Sequence, residues 1–261
     1  MKKGSGMSEA IDHGMPRLAL LNLTAAALHV SAAVALLTVR ELSTFLGPVQ
    51  LSHYANPTQP FAAVDLAAAA AVVALISATT RLFVLLPAVR TVYELGLREG
   101  RHGIRWIEYS QTAGITAFLV AMFNGVAEAG ALILVYAIAA GSVMLLWLQD
   151  RSTVPGARGL LPFSIGAAIA IVPWGVIALY HVVGLFAGPH PSLLGQFGTL
   201  ALLVIAAAHW VSVWLDHQQR SAWASPLMAE RVHIGLALVT SAVFVALVLL
   251  APTAGPEEWM L

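Results

Sequence analysis

The stretch RWIEYS at residues 105–110 places a carboxylate, that of Glu108, just inside a segment that is otherwise apolar enough to be a membrane helix. That segment covers residues 104–120. An ionised side chain at membrane depth costs roughly 2.5 to 3.5 kcal/mol even on the lenient insertion scale, and it usually faces a partner, a cavity or a ligand inside a helix bundle. Glu108 is therefore the first candidate for a functional residue, and the rest of the chain is expected to form the scaffold around it.

The composition of the whole chain predicts a membrane location. Of its 261 residues, 59% are hydrophobic and only 10% are charged, which is too apolar for a soluble domain of this size. The 13 basic and 13 acidic residues balance. No basic face is thus available to replace the counterions of a nucleic acid, and no nucleic-acid partner is expected. Cysteine is absent, which excludes disulfides and thiolate chemistry. The sequence predicts a multi-pass protein of the cell membrane, surrounded by the lipid bilayer.

Seven apolar runs are long enough for the roughly 20 residues that cross a hydrocarbon core. They cover residues 17–38, 61–89, 104–123, 127–148, 161–186, 197–215 and 232–250. These runs, predicted helices 1 to 7, indicate an all-α membrane protein with one seven-helix domain over residues 17–250. Polar tails are expected at residues 1–16 and 251–261. Residues 1–16 have no apolar core with a small-residue cleavage site, so that a removed signal peptide is not expected.

The basic residues predict the orientation of the bundle. They lie before helix 1 and in the connections between helices 2 and 3, 4 and 5, and 6 and 7, at Lys2, Lys3, Arg17, Arg90, Arg98, Arg101, Arg105, Arg151, Arg158, Arg220 and Arg231. The opposite side carries only Arg40. The positive-inside rule therefore places the tail 1–16 in the cytoplasm and the tail 251–261 outside.

The first outside loop, residues 39–60, is the longest connection in the chain. Residues 45–54 have enough alternating, β-branched and aromatic character to form a short β-hairpin. An irregular loop is the equal alternative.

Two further motifs carry a resemblance to a known family. The run YELGLREG at residues 93–100 precedes RWIEYS, and Glu230-Arg231 lies at the start of helix 7. With the long first outside loop and a seven-helix plan inverted relative to ordinary microbial and animal rhodopsins, these motifs resemble the heliorhodopsin family. The resemblance implies that Glu108, in the family's W-x-E-Y motif, is the counterion of a protonated retinal Schiff base. It also implies a homodimer, in which the 39–60 loops could pair edge to edge.

Helix 7 departs from that family at the residue that holds retinal. Counted from Glu230-Arg231, the family's lysine position falls at or beside Ser241. The chain has only two lysines, Lys2 and Lys3, both in the polar segment before helix 1. A Schiff base needs a primary amine at the pocket, and serine does not supply one. We therefore expect a divergent member that lacks the retinal lysine and binds no covalent retinal.

Seven residues are candidates for a pocket in the cytoplasmic half of the bundle. A rise of about 1.5 Å per residue places ionisable groups of five helices at that depth. His233 also shares a helix face with the vacant lysine position. The candidates are Glu108, Arg81, His29, His233, Ser241, His209 and Trp210.

Most of these candidates also have a purely structural interpretation. Glu108 and Arg81 could form an ion pair that only holds two helices together, and His29 could be hydrogen-bonded to a neighbouring helix. His209 and His233 lie nearer the interface, where solvated histidines are common. Tryptophans such as Trp210 are more often packing or belt residues than part of a cofactor site. His102, in the loop between helices 2 and 3, is interpreted as solvated.

Loss of the lysine predicts a contact between Arg81 and Glu108. Without the Schiff base cation, the buried carboxylate would be uncompensated or would have to protonate. Arg81 lies about 13 Å deeper than Arg90 at the helical rise, deep enough to approach Glu108 if helix 2 runs into the cytoplasm. We expect a direct contact with Glu108, or one through a water or a histidine.

Three functions are compatible with these features. The first is a non-pumping sensory or regulatory protein that acts through the bundle pocket or through a cytoplasmic protein partner. The second is noncovalent binding of haem or a divalent metal by the pocket histidines. The third is an ion or proton conductor. The outer halves of helices 3 and 7 have almost no polar side chains, which argues against a continuous conduction path. Phosphate-loop, zinc-protease and α/β-hydrolase motifs are absent from the sequence, and no enzyme activity is expected.

Overall fold

The computed structural model describes residues 3–42, 46–51, 62–154, 156, 159–187 and 192–250. Over these ranges the chain forms eight α-helices and one two-stranded sheet, so that the predicted helical class is confirmed. The helices are α1 (Lys3–Leu42), α2 (Leu66–Phe83), α3 (Pro87–Arg98), α4 (Gly103–Phe123), α5 (Ala129–Ser152), α6 (Leu161–Ala187), α7 (Leu193–Gln218) and α8 (Pro226–Leu250). The strands are β1 (Leu46–Val49) and β2 (Ala62–Asp65), and a 3-10 turn, Ser221–Ala224, precedes α8.

Six helices of the described chain, all but α3 and α4, are long and apolar enough to cross a membrane. The short α3 has 12 residues. The 21-residue α4 carries charged side chains near its start, and more than half of its residues are buried. Helix α4 packs on α2 and α5, α6 packs on α5, and α8 packs on both α7 and α1. Helix α4, with its charged side chains, therefore packs between apolar helices.

The predicted helix 2, residues 61–89, is wrong beyond Phe83. Asp65 caps the start of α2, where its side chain accepts a hydrogen bond from the Ala68 amide at 2.8 Å. Pro87 begins α3, and the extended backbone of Leu86 before it is the conformation that a following proline favours. Arg81 thus lies in the last turn of α2. Its depth cannot be counted from Arg90 along one continuous helix.

Helix α1 begins already at Lys3 rather than at residue 17, and it continues through most of the segment predicted as a polar tail. The predicted hairpin also differs from the observed sheet. β1 pairs antiparallel with β2, in the register Leu46 to Asp65 and Val49 to Ala62, rather than within residues 45–54. Residues 45 and 52–54 of the predicted hairpin lie outside the described ranges.

Buried charges concentrate at one end of the bundle, where α1, α4 and α8 begin and α2 and α7 end. We call it the N-terminal end. A small apolar cluster that includes Met15, Leu18, Leu97 and Leu227 lies there. The larger apolar core, with Leu119, Val120 and Phe244, fills the rest of the bundle. The polar site therefore lies between two apolar layers.

Candidate functional site

Glu108 and Arg81 form a buried ion pair between α4 and α2. Arg81 Nη2 donates a hydrogen bond to Glu108 Oε2. Both side chains are only 1% exposed. The predicted direct contact is therefore confirmed. Removing one partner of such a buried pair leaves an uncompensated charge, which typically costs about 3 to 5 kcal/mol.

A second buried carboxylate, that of Glu230 near the start of α8, lies next to this pair. Glu230 Oε1 accepts a hydrogen bond from Tyr93 Oη at 2.9 Å and lies 3.9 Å from Arg81 Nη1. Its Oε2 lies 3.1 Å from His102 Nδ1 and 3.6 Å from Arg105 Nη1. Two arginines thus face two glutamates. We call Arg81, Arg105, Glu108 and Glu230 the charge cluster.

Tyr93, on α3, is a neutral donor to this cluster. Burial raises the pKa of its phenol well above the ordinary range, and the neighbouring Glu230 carboxylate raises that pKa further. An ionised phenolate would repel Glu230, whereas the neutral hydroxyl donates to it. Tyr93 therefore anchors α3 to the buried carboxylate on α8.

His102 is buried, so that its interpretation as a solvated loop residue is wrong. It is 3% exposed and immediately precedes α4. Besides contacting Glu230, its Nε2 lies 3.7 Å from Asp216 Oδ2, and its backbone amide donates to Asp150 Oδ2 at 2.9 Å. One residue thus contacts α5, α7 and α8. Its position directly before a buried helix was the available sequence signal.

Ser241, expected from the sequence to lie at or beside the family's lysine position, is paired with His29. The distance between His29 Nδ1 and Ser241 Oγ is 2.9 Å. His29 is fully buried and Ser241 is 3% exposed. This interhelical hydrogen bond joins α1 to α8, which agrees with the structural interpretation of His29. The sequence had suggested no partner for either residue.

Three aromatic rings meet beside the charge cluster. Tyr109 stacks on His209 with a centroid distance of 4.2 Å, and His233 packs edge-on against both rings. His233 Nε2 lies 3.5 Å from Glu108 Oε2. Both histidines are at most 5% exposed. Their interpretation as solvated groups near the interface is therefore wrong.

The tautomer of His209 follows from its hydrogen bond. Its Nδ1 lies 3.0 Å from the backbone carbonyl oxygen of Ile205, which only accepts, so Nδ1 carries the proton. The remaining Nε2 has no hydrogen-bond partner among the described residues. With Nδ1 protonated, the neutral His209 ring therefore has an unused hydrogen-bond acceptor at Nε2.

These rings border a cavity of about 60 Å³, enclosed by α2 and α4 to α8. Its lining includes Tyr109, Trp174, His209, Trp210 and His233. Trp210 also packs on Phe163, with 5.6 Å between ring centroids. A water molecule occupies about 30 Å³ of liquid, whereas pockets for drug-sized ligands have about 300 to 1,000 Å³. In this conformation the cavity accommodates waters rather than a large cofactor.

The structure divides the seven candidate residues into three groups. Arg81 and His233 both contact Glu108, His209 and Trp210 line the cavity, and His29 pairs with Ser241. Sequence reasoning missed or left unassigned the other polar groups of the site, which are Tyr93, His102, Arg105, Tyr109, Asp216 and Glu230. Across the described ranges, no three His, Asp or Glu side chains are arranged to hold a metal ion.

Six apolar helices long enough to cross a membrane, packed around buried, ion-paired carboxylates, indicate a multi-pass membrane protein. The family model described as Heliorhodopsin matches residues 18–251, most of the chain. The chain belongs to the heliorhodopsin family. That family normally binds retinal and is not generally a family of enzymes. A search of curated proteins finds no match.

Proposed function

We propose that this chain is a non-pumping sensory or regulatory heliorhodopsin that holds no covalent retinal. The observation that carries the proposal is the Arg81 to Glu108 ion pair. In the family, the carboxylate at this position faces the cation of the protonated Schiff base. Here a guanidinium, which keeps its proton, already compensates it. The bundle pocket is then free to respond to a noncovalent ligand or to a cytoplasmic protein partner.

Seven membrane spans are part of this proposal, with α4 as the third. Its 21 residues correspond to about 31 Å at the helical rise, which matches a hydrocarbon core of about 30 Å. Its charged residues Arg105 and Glu108 are buried against other helices rather than exposed to lipid. A span with inward-facing charges is tolerated in a membrane.

The exposed arginines at the N-terminal end support an inverted orientation, with that end in the cytoplasm. They include Arg17, Arg151, Arg220 and Arg231. Basic residues near span ends favour the cytoplasmic side. We also propose a homodimer that forms through the 39–60 loop region, which contains β1.

Covalent retinal does not fit the residues present. The two lysines of the chain, Lys2 and Lys3, lie before or at the first residue of α1. The hydroxyl of Ser241 pairs with His29 and offers no amine. The ion pair, not a chromophore, therefore holds α2 and α4 together at this depth.

The conductor and metalloprotein alternatives are less well supported. The charge cluster lies at the N-terminal end, while the far half of α4 and α8 is packed with Leu119, Val120 and Phe244, all fully buried. Such apolar packing argues against an ion path along these two helices. For haem, the cavity of about 60 Å³ is far below the size of cofactor pockets.

A retinal and haemin titration tests the proposal. The purified chain in nanodiscs is mixed with all-trans retinal or haemin, and a lysine-bearing heliorhodopsin treated in the same way is the control. We expect a red-shifted visible band and a borohydride-fixed retinal adduct, detected by intact mass, in the control only. A fixed adduct on this chain would overturn the proposal, and a stoichiometric haem Soret band would favour the cofactor alternative instead.

A further inference from the structure

Helix α3 presents two apolar faces, of which only one is covered by the bundle. Its hydrophobic residues Leu97 and Tyr93 pack into the apolar cluster at the N-terminal end. On the opposite face, Val92 and Leu95 are 68% and 56% exposed. At about 100° per residue, Ala88, Val92 and Leu95 lie within about 60° of one another and face away from Leu97.

The polar residues of α3 are confined to one edge between these faces. Arg90, Thr91, Glu94 and Arg98 follow one another around that edge at helical spacing. Arg90 pairs with Glu94 at 2.6 Å, and Arg98 pairs with Asp12 of α1. A helix with a charged edge and an exposed apolar face has the composition of one that lies flat in a membrane interface.

The exposed apolar face of α3 continues the exposed apolar surface at the end of α2. Helix α2 is long and apolar enough to cross a membrane, and only residues 84–86 separate it from α3. Leu82 and Phe83 at its end, and Leu86 in the connection, are each about half exposed. Helix α3 therefore starts at the depth at which α2 leaves the hydrocarbon core. A cytoplasmic position would instead expose Val92 and Leu95 to water.

We propose that α3 is an interfacial helix whose Val92 and Leu95 insert into the bilayer, and that Tyr93 couples it to the charge cluster. The coupling rests on the hydrogen bond of 2.9 Å from Tyr93 Oη to Glu230 Oε1. A change in the depth or tilt of α3 moves the hydroxyl that holds Glu230. The bilayer surface is thus mechanically linked to the buried carboxylate on α8.

Single-cysteine labelling tests the position of α3, because the chain has no cysteine of its own. Val92→Cys and Leu95→Cys carry a fluorescent label on the apolar face. Thr91→Cys, exposed on the polar edge of the same helix, is the matched control. Each variant is studied in nanodiscs that hold one copy of the chain, with a lipid-chain quencher and with aqueous iodide.

We expect the lipid quencher to act several-fold more strongly at positions 92 and 95 than at 91, and iodide to show the reverse order. Equal iodide quenching at all three positions would place α3 in water and overturn the proposal. Protection of 92 and 95 from both quenchers would also overturn it, because the face would then be covered by protein.

A second measurement tests the coupling through Tyr93. A spin label at Leu95→Cys is compared with and without Tyr93→Phe, and Tyr180→Phe, at an exposed tyrosine, serves as the control. We expect faster label motion only with Tyr93→Phe, since its ring stays in the apolar cluster while the bond to Glu230 is lost. An unchanged spectrum would show that Tyr93 does not restrain α3 and would contradict the proposed coupling to the charge cluster.

Discussion

Arg81 lies between Glu108 and Glu230. Its Nη2 donates a hydrogen bond to Glu108 Oε2, and its Nη1 lies 3.9 Å from Glu230 Oε1. One guanidinium on α2 therefore contacts carboxylates on α4 and α8. Its fork geometry allows this, because the two terminal nitrogens point to different acceptors. A histidine at this position would reach fewer acceptors and could lose its charge. The arginine thus connects three helices with one permanent charge.

Placing a lysine at position 241, the proposed site of the family's lysine, should not by itself produce a pigment. In Ser241→Lys, a protonated Schiff base would meet a carboxylate that Arg81 already compensates, and the two cations would repel each other. We expect no strong visible band with retinal in Ser241→Lys, and a stronger one in Ser241→Lys with Arg81→His. Absorption spectra of both variants measure this, with Ser241→Ala as the control. A strong band from Ser241→Lys alone would contradict the role given to Arg81.

The buried ion pair should behave as a coupled unit in a double-mutant cycle. Arg81→Gln or Glu108→Gln alone should lower the free energy of unfolding by about 3 to 5 kcal/mol, because each removes the closest partner of a buried charge. The double variant should lose clearly less than the sum. Denaturant unfolding in mixed micelles gives these values.

The exposed pair of Arg90 and Glu94 provides the control for that cycle. Arg90→Gln should change stability by only about 0.3 to 0.5 kcal/mol, as is typical of solvent-exposed pairs at this helical spacing. Strict additivity at Arg81 and Glu108 would mean that the two side chains do not interact.

Removing the Tyr93 hydroxyl should destabilise the N-terminal end of the bundle. Tyr93→Phe deletes a hydrogen bond to a charged, buried carboxylate, which is worth about 1.5 to 3 kcal/mol. Tyr180→Phe, at an exposed tyrosine, should leave stability unchanged. Thermal unfolding of both variants is the measurement, and equal midpoints would argue against the Tyr93 to Glu230 bond.

His102→Ala should be destabilising even though the residue lies in a connection. Its ring contacts Glu230 and Asp216, so its loss leaves buried carboxylate oxygens less satisfied, at a cost of about 1 to 3 kcal/mol. His13→Ala, at an exposed site on α1, should stay within about 0.5 kcal/mol. Similar unfolding free energies for the two variants would indicate that His102 is solvated after all.

Several features of the site could be predicted from the sequence because they depend on local patterns. Glu108 is conspicuous as a carboxylate in an apolar run, and Arg81 as a permanent cation that could neutralise it. His102 and Glu230 could not be paired in this way. They are 128 residues apart in sequence and meet only because α4 and α8 start at the same end of the bundle.

The break between α2 and α3 shows a different limit. Apolar residues continue through Phe83, Leu85 and Leu86 into Val89, so that hydropathy alone does not end the helix at Phe83. Pro87 was the available signal, since proline favours the first turn of a new helix. The sequence by itself thus contained the proline signal, but it did not show whether the chain would bend at Pro87.

The sequence alone determined the membrane class, the helical architecture and the absence of any lysine after Lys3, because composition and residue identity do not depend on folding. The tertiary structure decided which buried charges meet. Arg81 can compensate Glu108, Glu230 or both, and the outcome depends on how α2, α4 and α8 pack. A buried charge is stable only beside its partner, and that distance exists only in the folded bundle.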